Sequence, residues 1–193
     1  EREYSQPASA RPTHVEGGAE DVQNAPGHQG ARFMADLQLQ LKTAPPRAVR
    51  TAPVRKRLER RWAEVNDRTA IIVTAPQGFG KTTLLAQWAM ADARPFAWLT
   101  LDERDADPVL LLGYLRTAIG RAGIGDLAPD APRGALAAIW TSIVPELCTM
   151  VAQSATPFVL VLDDVHVLGP GGALYVVGAL ARAIPHGSRL VLS

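Results

Sequence analysis

The sequence contains a single cysteine, which restricts both its covalent structure and its compartment. Because Cys148 is alone among the 193 residues, no disulfide can form within the chain. Disulfides persist in oxidising compartments, and a lone thiol is typical of a reducing one. We therefore predict a cytoplasmic protein in which Cys148, with Leu147, Met150 and Val151 close by in the sequence, is a buried structural thiol.

The sequence also lacks a long hydrophobic run and an excess of charge of one sign. A membrane-spanning helix needs about 20 apolar residues, and the strongest apolar run, residues 158–162, stops at Asp163 and Asp164. Twenty basic residues stand against nineteen acidic ones, for a net charge of +1. Such a balance predicts no membrane partner and no general attraction to nucleic acid. The function must be sought in individual sites.

Three segments differ in composition. Residues 1–41 are rich in polar residues, glycine and proline and are predicted to be a disordered tail. Residues 42–68 hold a proline-rich stretch and then a basic helix from Val54 to Trp62, for which we favour docking on the core over DNA binding. Residues 69–193 form the predicted core. Both ends read as cuts, since the chain begins at Glu1 rather than Met and stops after a short apolar run, so we expect a longer natural protein.

The core alternates between short apolar runs and longer helical patterns, which predicts an α/β fold with a mostly parallel sheet covered by helices. Strands are predicted at residues 70–74, 96–101, 158–162 and 190–192, the first of them fully buried. Helices are predicted from about Lys81, from Asp107 with Pro108 at its start, over residues 135–153 with an interruption at Pro145, and after Gly172. The helix after Gly172 is expected to bury Leu174, Val177, Leu180 and Ile184. The sheet is expected to be cut off within its fourth strand.

A phosphate-binding loop is predicted directly after the first strand. Residues 75–82 match the pattern G-x-x-x-x-G-K-[ST] at every fixed position except the first, where alanine replaces glycine. Glycines let backbone N–H groups approach an anion, and the following helix directs its positive end at the phosphates. Lys81 is predicted to reach the β and γ phosphates of ATP, and the Thr82 hydroxyl to bind Mg²⁺. The predicted nucleotide-binding residues are Ala75, Pro76, Gln77, Gly78, Phe79, Gly80, Lys81, Thr82 and Thr83.

Two adjacent carboxylates follow the third strand, where α/β sheets bind ligands. Asp163 is the predicted magnesium ligand, and Asp164 is the predicted catalytic base that orients the attacking water, with Lys81 as its catalytic partner. His166 is interpreted as a hydrogen-bonded structural residue rather than a γ-phosphate sensor. The turn that carries Asp102, Glu103, Asp105 and Asp107 is interpreted as a solvated turn and helix cap rather than a metal site.

The chain resembles the nucleotide-binding module of STAND-type signalling ATPases, and specifically large LuxR-family, MalT-like transcriptional regulators. The resemblance covers residues 42–193 and rests on the segment from Val54 to Leu58 and on the sequences APQGFGKTTL, AWLTLDERDADP and VLVLDDVH. It implies a strand inserted between the loop strand and the acidic strand, and it places Val54 and Arg55 near the adenine. The family's sensor arginine would lie beyond Ser193.

The function implied is an ATP-binding switch that hydrolyses ATP slowly. Proteins of this family bind ATP or ADP with Mg²⁺, self-associate when ATP is bound and contact DNA through a C-terminal domain that lies outside this sequence. Two alternatives remain open from the residues alone. One is a metabolic enzyme such as a small-molecule kinase, and the other is a scaffold that binds nucleotide without turnover.

Overall fold

Four parallel strands form the centre of the structure. The computed structural model describes residues 37–46, 68–125 and 138–193. The strands are β1 (Ala70–Ile72), β2 (Phe96–Thr100), β3 (Val159–Asp163) and β4 (Arg189–Leu192), in the order β1-β4-β3-β2, and every pairing is parallel. The insertion of β4 between β1 and β3 agrees with the strand that the family resemblance implied. The predicted α/β class with a parallel sheet is confirmed.

Helices follow three of the strands and cover both faces of the sheet. They are α1 (Lys81–Ala91), α2 (Pro108–Arg121), α3 (Val144–Ala152) and α4 (Gly172–Ala183). Leu85 of α1 packs on Trp98, Val159, Val161 and Val191 on one face. The alternate strand residues face the opposite side and pack against α2, α3 and α4, as the period of two along a strand requires. No helix in these described ranges has both the length and the apolar character that crossing a membrane requires.

The first strand is less buried than the sequence predicted. β1 ends at Ile72, which is 70% exposed, and Ala70 is exposed as well. Because β4 occupies the position between β1 and β3, β1 lies at the edge of the described sheet and only its Ile71 packs against the Leu85 cluster. The prediction of a fully buried strand over residues 70–74 is therefore wrong, whereas β3 is buried at every position.

The helices confirm one sequence prediction, at Pro145, and contradict another, at Leu174. Pro145 stands in the first turn of α3 and cannot donate a backbone hydrogen bond, and a π-helical turn at Ile139–Ile143 precedes it. This confirms the predicted interruption. In α4 the buried residues are Ala173, Val176, Val177 and Leu180, while Leu174 is 40% exposed. Leu174 was wrongly assigned to the buried face of α4.

Several sequence predictions concern residues at the margins of the described structure. The basic helix and most of the segments 1–41 and 42–68 lie outside the described residues. Residues 38–42 are helical, although the predicted tail extended to residue 41. Cys148 is a free thiol that is half-buried rather than fully buried, and its partial burial raises the pKa of the thiol.

Candidate functional site

A cleft of about 870 Å³ opens at the carboxyl edge of the sheet. One side carries the loop after β1, and the other carries the turns that follow β2 and β3. Parallel strands place the segments that follow them at one edge, so residues far apart in sequence meet there. The cleft is lined by Val73, Thr74, Ala75, Gln77, Lys81, Leu101, Asp102, Glu103, Arg104, Asp164, His166, Val167 and Ser193.

The loop between β1 and α1 has the backbone that a phosphate-binding turn needs. Gly78 and Gly80 have φ angles of 80° and 79°, in the left-handed region that favours glycine. Gly80 is the N-cap of α1 and contributes no side chain there, so the first-turn N–H groups of an eleven-residue helix meet the loop directly. Ala75 is not among the described residues with positive φ. Its conformation is therefore open to any L-residue, which explains why alanine fits where the pattern has glycine.

Lys81 begins α1 and its side chain folds back over this loop. Its Nζ donates to the carbonyl oxygen of Ala75 at 3.1 Å. The ammonium group therefore lies beside the loop backbone, at the wall of the cleft. This hydrogen bond is exposed to solvent. An anion in the cleft, which is a stronger acceptor than a carbonyl, can therefore replace Ala75 as the hydrogen-bond partner of Lys81.

Thr82 and Asp163 join the loop helix to the central strand β3. The Thr82 hydroxyl donates to Asp163 Oδ2 at 2.7 Å, between residues 81 positions apart in the chain. Asp163 is only 1% exposed, and its Oδ1 has no hydrogen-bond partner within the described residues. A buried carboxylate oxygen without a partner is costly unless a cation or a donor meets it. The two predicted magnesium ligands, Thr82 and Asp163, are thus hydrogen-bonded to each other, and Asp163 Oδ1 is left available for a cation.

Asp164 differs from its neighbour in conformation and exposure. It is the one non-glycine residue with a positive φ among the described residues, at φ 63° and ψ 38°. The chain turns at this point, so the half-exposed side chain of Asp164 lines the cleft while Asp163 stays buried. His166 Nδ1 lies 3.8 Å from Asp164 Oδ1, and the His166 side chain is 74% exposed. That distance is too long for a hydrogen bond, so the interpretation of His166 as a hydrogen-bonded structural residue finds no support.

The acidic turn after β2 carries an ion-pair cluster, and the interpretation of it as solvated is wrong only for Asp105. Asp105 is fully buried, and its Oδ2 accepts from Lys42 Nζ at 2.6 Å. Asp102 pairs with both Lys42, at 3.1 Å, and Arg104, at 2.9 Å. Hydrogen bonding from Arg104 is the main reason that the pKa of Asp102 lies well below its usual value, and Lys42 lowers it further against the opposing effect of burial. Asp107 caps α2 through Val109 N–H at 2.8 Å, as predicted.

The cleft gathers some of the predicted site residues and adds others. Ala75, Gln77, Lys81 and Asp164 line it. The described structure places the other predicted residues in the loop itself, in the first turn of α1 or at the end of β3, and Val54 and Arg55 lie outside it. The charged and histidine side chains of the cleft that were not assigned to the site from the sequence are Asp102, Glu103, Arg104 and His166. A usable signal existed for the first three, because they follow a strand that was predicted to lie in the same parallel sheet.

The Thr82 hydroxyl and the Asp163 carboxylate, which are next in sequence to the cleft residues Lys81 and Asp164, are oxygen ligands that suit a hard divalent cation. Mg²⁺ is typically held by one or two carboxylates together with substrate phosphates and water, and Asp163 with Thr82 supplies such a partial set. No cluster of three or more histidine, cysteine, aspartate or glutamate side chains suited to a metal occurs in the described part of the chain. A scan against models of known protein families found none that matches this chain.

Proposed function

We propose that this chain binds ATP or ADP with Mg²⁺ and acts as a nucleotide-dependent switch. The observation that carries the proposal is the 2.7 Å hydrogen bond between Thr82 and Asp163. It joins the first turn of the helix after a glycine loop to a buried carboxylate at the end of a central strand. Nucleotide-binding loops of this kind use a hydroxyl and an acid in such an arrangement to hold magnesium beside the phosphates.

The loop supplies the anion site. Gly78 and Gly80 allow the backbone to approach a phosphate closely, and the amino end of α1 adds its partial positive charge. Lys81, now bonded to the Ala75 carbonyl, exchanges this neutral acceptor for phosphate oxygens. Hydrogen bonds between two charged groups are stronger than hydrogen bonds to a neutral carbonyl. The exchange therefore favours phosphate binding by Lys81.

Asp163 and Thr82 are the residues that would hold the metal ion. Mg²⁺, when bound, neutralises negative charge on the β and γ phosphates. Asp163 offers the buried Oδ1 that has no hydrogen-bond partner among the described residues, and the Thr82 oxygen keeps its lone pairs when the hydroxyl donates a hydrogen bond. Asp164, half-exposed at the cleft wall, would accept a proton from water and orient the water for attack.

We further propose that binding and slow hydrolysis serve regulation, as the resemblance to STAND-type LuxR-family regulators implies. In that scheme the ATP-bound form is the one that self-associates, and DNA is contacted by a domain outside this sequence. A ligand shifts such an equilibrium only by its differential affinity for the two states. The kinase alternative needs an acceptor substrate beside the phosphates, whereas Asp164 at the cleft wall favours water as the acceptor.

The proposal is tested by thermal unfolding with and without magnesium and ATP or ADP. At about one hundred times the dissociation constant, ligand adds about 2.7 kcal/mol to the free energy of unfolding, which raises Tm by roughly 5 to 10 °C for a chain of this size. Lys81→Ala is expected to abolish the increase. Arg182→Ala is the matched control, because it removes one exposed positive charge from α4, outside the cleft.

The outcomes separate clearly. A nucleotide-dependent rise that is lost in Lys81→Ala and kept in Arg182→Ala supports a phosphate site at the loop. A cooperative unfolding transition whose Tm does not change with nucleotide contradicts the proposal. An equal rise in wild type and Lys81→Ala would mean that nucleotide binds elsewhere.

A further inference from the structure

The turn after β2 adds an exposed cation to the cleft, whereas Lys81, on the side of the loop after β1, is partly buried. Arg104 lies in the turn Glu103–Ala106 and lines the same cleft as Gln77, Lys81 and Asp164. Its side chain is 62% exposed, and its guanidinium donates to Asp102 through Nη2 at 2.9 Å and Nε at 3.3 Å. The pair is bidentate, but solvent and salt screen it at this exposure. A multiply charged anion in the cleft can therefore compete for the guanidinium.

Asp102 keeps other hydrogen-bond partners when the Arg104 side chain leaves it. Lys42 Nζ lies 3.1 Å from the same Oδ2 of Asp102, and the Arg104 backbone N–H donates to Oδ1 at 2.9 Å. Lys42 itself is only 12% exposed, and it is fixed by Asp105 and by the ring of Tyr114 at 4.5 Å. The anchored cation thus keeps Asp102 paired, while the exposed Arg104 side chain can turn into the cleft.

The sheet order indicates which part of a nucleotide Arg104 would meet. β2 lies next to β3 and on the side away from β1. Asp163, which with Thr82 would hold a magnesium ion beside the phosphates, lies at the end of β3. The terminal phosphate is therefore the one nearest to the turn after β2. A guanidinium presents a planar fork of donors that matches phosphate oxygens.

We propose that Arg104 binds the terminal phosphate of a nucleoside triphosphate and so makes the cleft prefer ATP to ADP. This inference rests on the proposed nucleotide-binding function. Lys81 can contact the β phosphate that both nucleotides present, whereas Arg104 contacts only the γ phosphate, which hydrolysis removes. Arg104 thus loses its phosphate contact on hydrolysis, while Lys81 keeps one.

Isothermal titration with a non-hydrolysable ATP analogue and with ADP, each with magnesium, tests the assignment. Arg104→Gln is expected to weaken binding of the triphosphate about tenfold or more, as the loss of a charged hydrogen bond predicts, and to change ADP affinity less than about twofold. Arg104→Lys keeps the charge without the fork and is expected to fall between these values. Arg182→Gln, an exposed arginine outside the cleft, is expected to match wild type for both ligands.

Two different failures can be told apart. If wild type binds neither nucleotide, the proposed function itself is wrong and the Arg104 assignment is overturned with it. If wild type binds both and Arg104→Gln weakens both equally, or weakens neither, the assignment of Arg104 alone is overturned. Circular dichroism of the unliganded variants shows whether each is folded. If Arg104→Gln is misfolded, Arg104→Lys is compared with wild type instead. An unchanged preference of Arg104→Lys for the triphosphate would then contradict binding through the guanidinium fork.

Discussion

Asp163 and Asp164 are chemically identical neighbours that the backbone separates into two environments. Asp163 is the last residue of β3, pairs in register with Thr100 and is buried. The left-handed conformation of Asp164 then reverses the chain, and its side chain reaches the cleft. Aspartate and asparagine tolerate this conformation better than other residues with a Cβ. The backbone thus suits the roles that we propose for them, a metal ligand at the buried first position and a base at the half-exposed second position.

Asp164→Asn is expected to separate catalysis from binding. Asparagine tolerates the left-handed backbone, so folding and the nucleotide-dependent rise in Tm should persist. The amide cannot accept the proton, and the steady-state rate of phosphate release should fall about a hundredfold or more, as for the loss of a general base. The measurement compares phosphate release with Tm for the same preparations.

Asp163→Asn, a variant of the proposed metal ligand, is compared with Asp164→Asn, the variant of the proposed base. It is expected to reduce the magnesium dependence of nucleotide binding, because it halves the oxygens of the buried carboxylate. Equal phosphate release from wild type and Asp164→Asn would show that Asp164 is not the base. Wild type that binds nucleotide but releases no phosphate would favour the scaffold alternative.

At the scale of elements, the end of α1 is tied to two strands by one charged pair. Asp92 accepts from Trp88 Nε1 at 3.0 Å and from Arg94 Nη2 at 2.6 Å. Arg94 also donates to the carbonyl of Gly187 at 2.9 Å, in the turn that precedes β4. Because Arg94 is two residues before β2, the pair links α1 to the starts of β2 and β4. The Arg94 hydrogen bond is the main cause that lowers the pKa of Asp92.

Asp92→Asn is expected to lower the free energy of unfolding at pH 7 by about 1.5–3 kcal/mol, the usual contribution of hydrogen bonds to charged groups. The sign of its pH dependence follows from the lowered pKa. A group with a depressed folded pKa stabilises the protein above its ordinary pKa, here 3.8, and loses that contribution as the pH falls through the folded value. The variant should therefore show a shallower loss of stability below pH 3.8.

Asp107→Asn provides the matched control for this acid titration. Asp107 caps α2 through a backbone N–H, and asparagine caps a helix about as well as aspartate. Urea unfolding from pH 7 to pH 2 should give the wild-type slope for this control. A control and an Asp92→Asn variant with the same slope would contradict the role given to the Asp92–Arg94 pair.

Local patterns predicted most of these elements because their signals lie within the elements themselves. The buried residues Leu111, Leu112, Leu115 and Ile119 of α2 follow a helical period, and Asp107 with Pro108 marks its start. β3 is a continuous aliphatic run that ends at an acid. For the site, the glycine loop, Lys81 and the Thr82–Asp163 pair were predictable, since a strand, a turn and a helix set their positions.

The remaining features depend on contacts between distant segments. The exposure of Ile72 follows from the sheet order, which places β4 rather than β1 next to β3. The burial of Asp105 follows from Lys42, 63 residues earlier. The hydrophobic periodicity of a short segment cannot reveal either contact, because the two contacting residues lie far apart in the sequence. For this reason Asp105 was expected to be solvated, and the part of the cleft wall that Arg104 forms was not predicted.

At the scale of the molecule, a short segment near residue 42 is fastened to the sheet domain beside the cleft. Thr43 is 5% exposed, donates to Leu39 O at 2.6 Å and accepts from Arg121 Nη1 at 3.2 Å. Lys42 reaches Asp105 and Asp102 at the end of β2 and lies over Tyr114. Asp102 borders the cleft, so the same ion-pair cluster contacts both the segment and the candidate site.

Lys42→Met is expected to lower the free energy of unfolding by about 3 kcal/mol, because it leaves the buried Asp105 without its cation. The pair itself need not be strongly stabilising, since burying two charges costs about as much as their attraction returns. Adding Asp105→Asn to Lys42→Met should therefore recover most of the loss, as the buried charge is then gone. Urea unfolding midpoints of the two single variants and the double variant measure this coupling. Additive losses in the double variant would show that Lys42 stabilises the molecule by packing on Tyr114 rather than by neutralising Asp105.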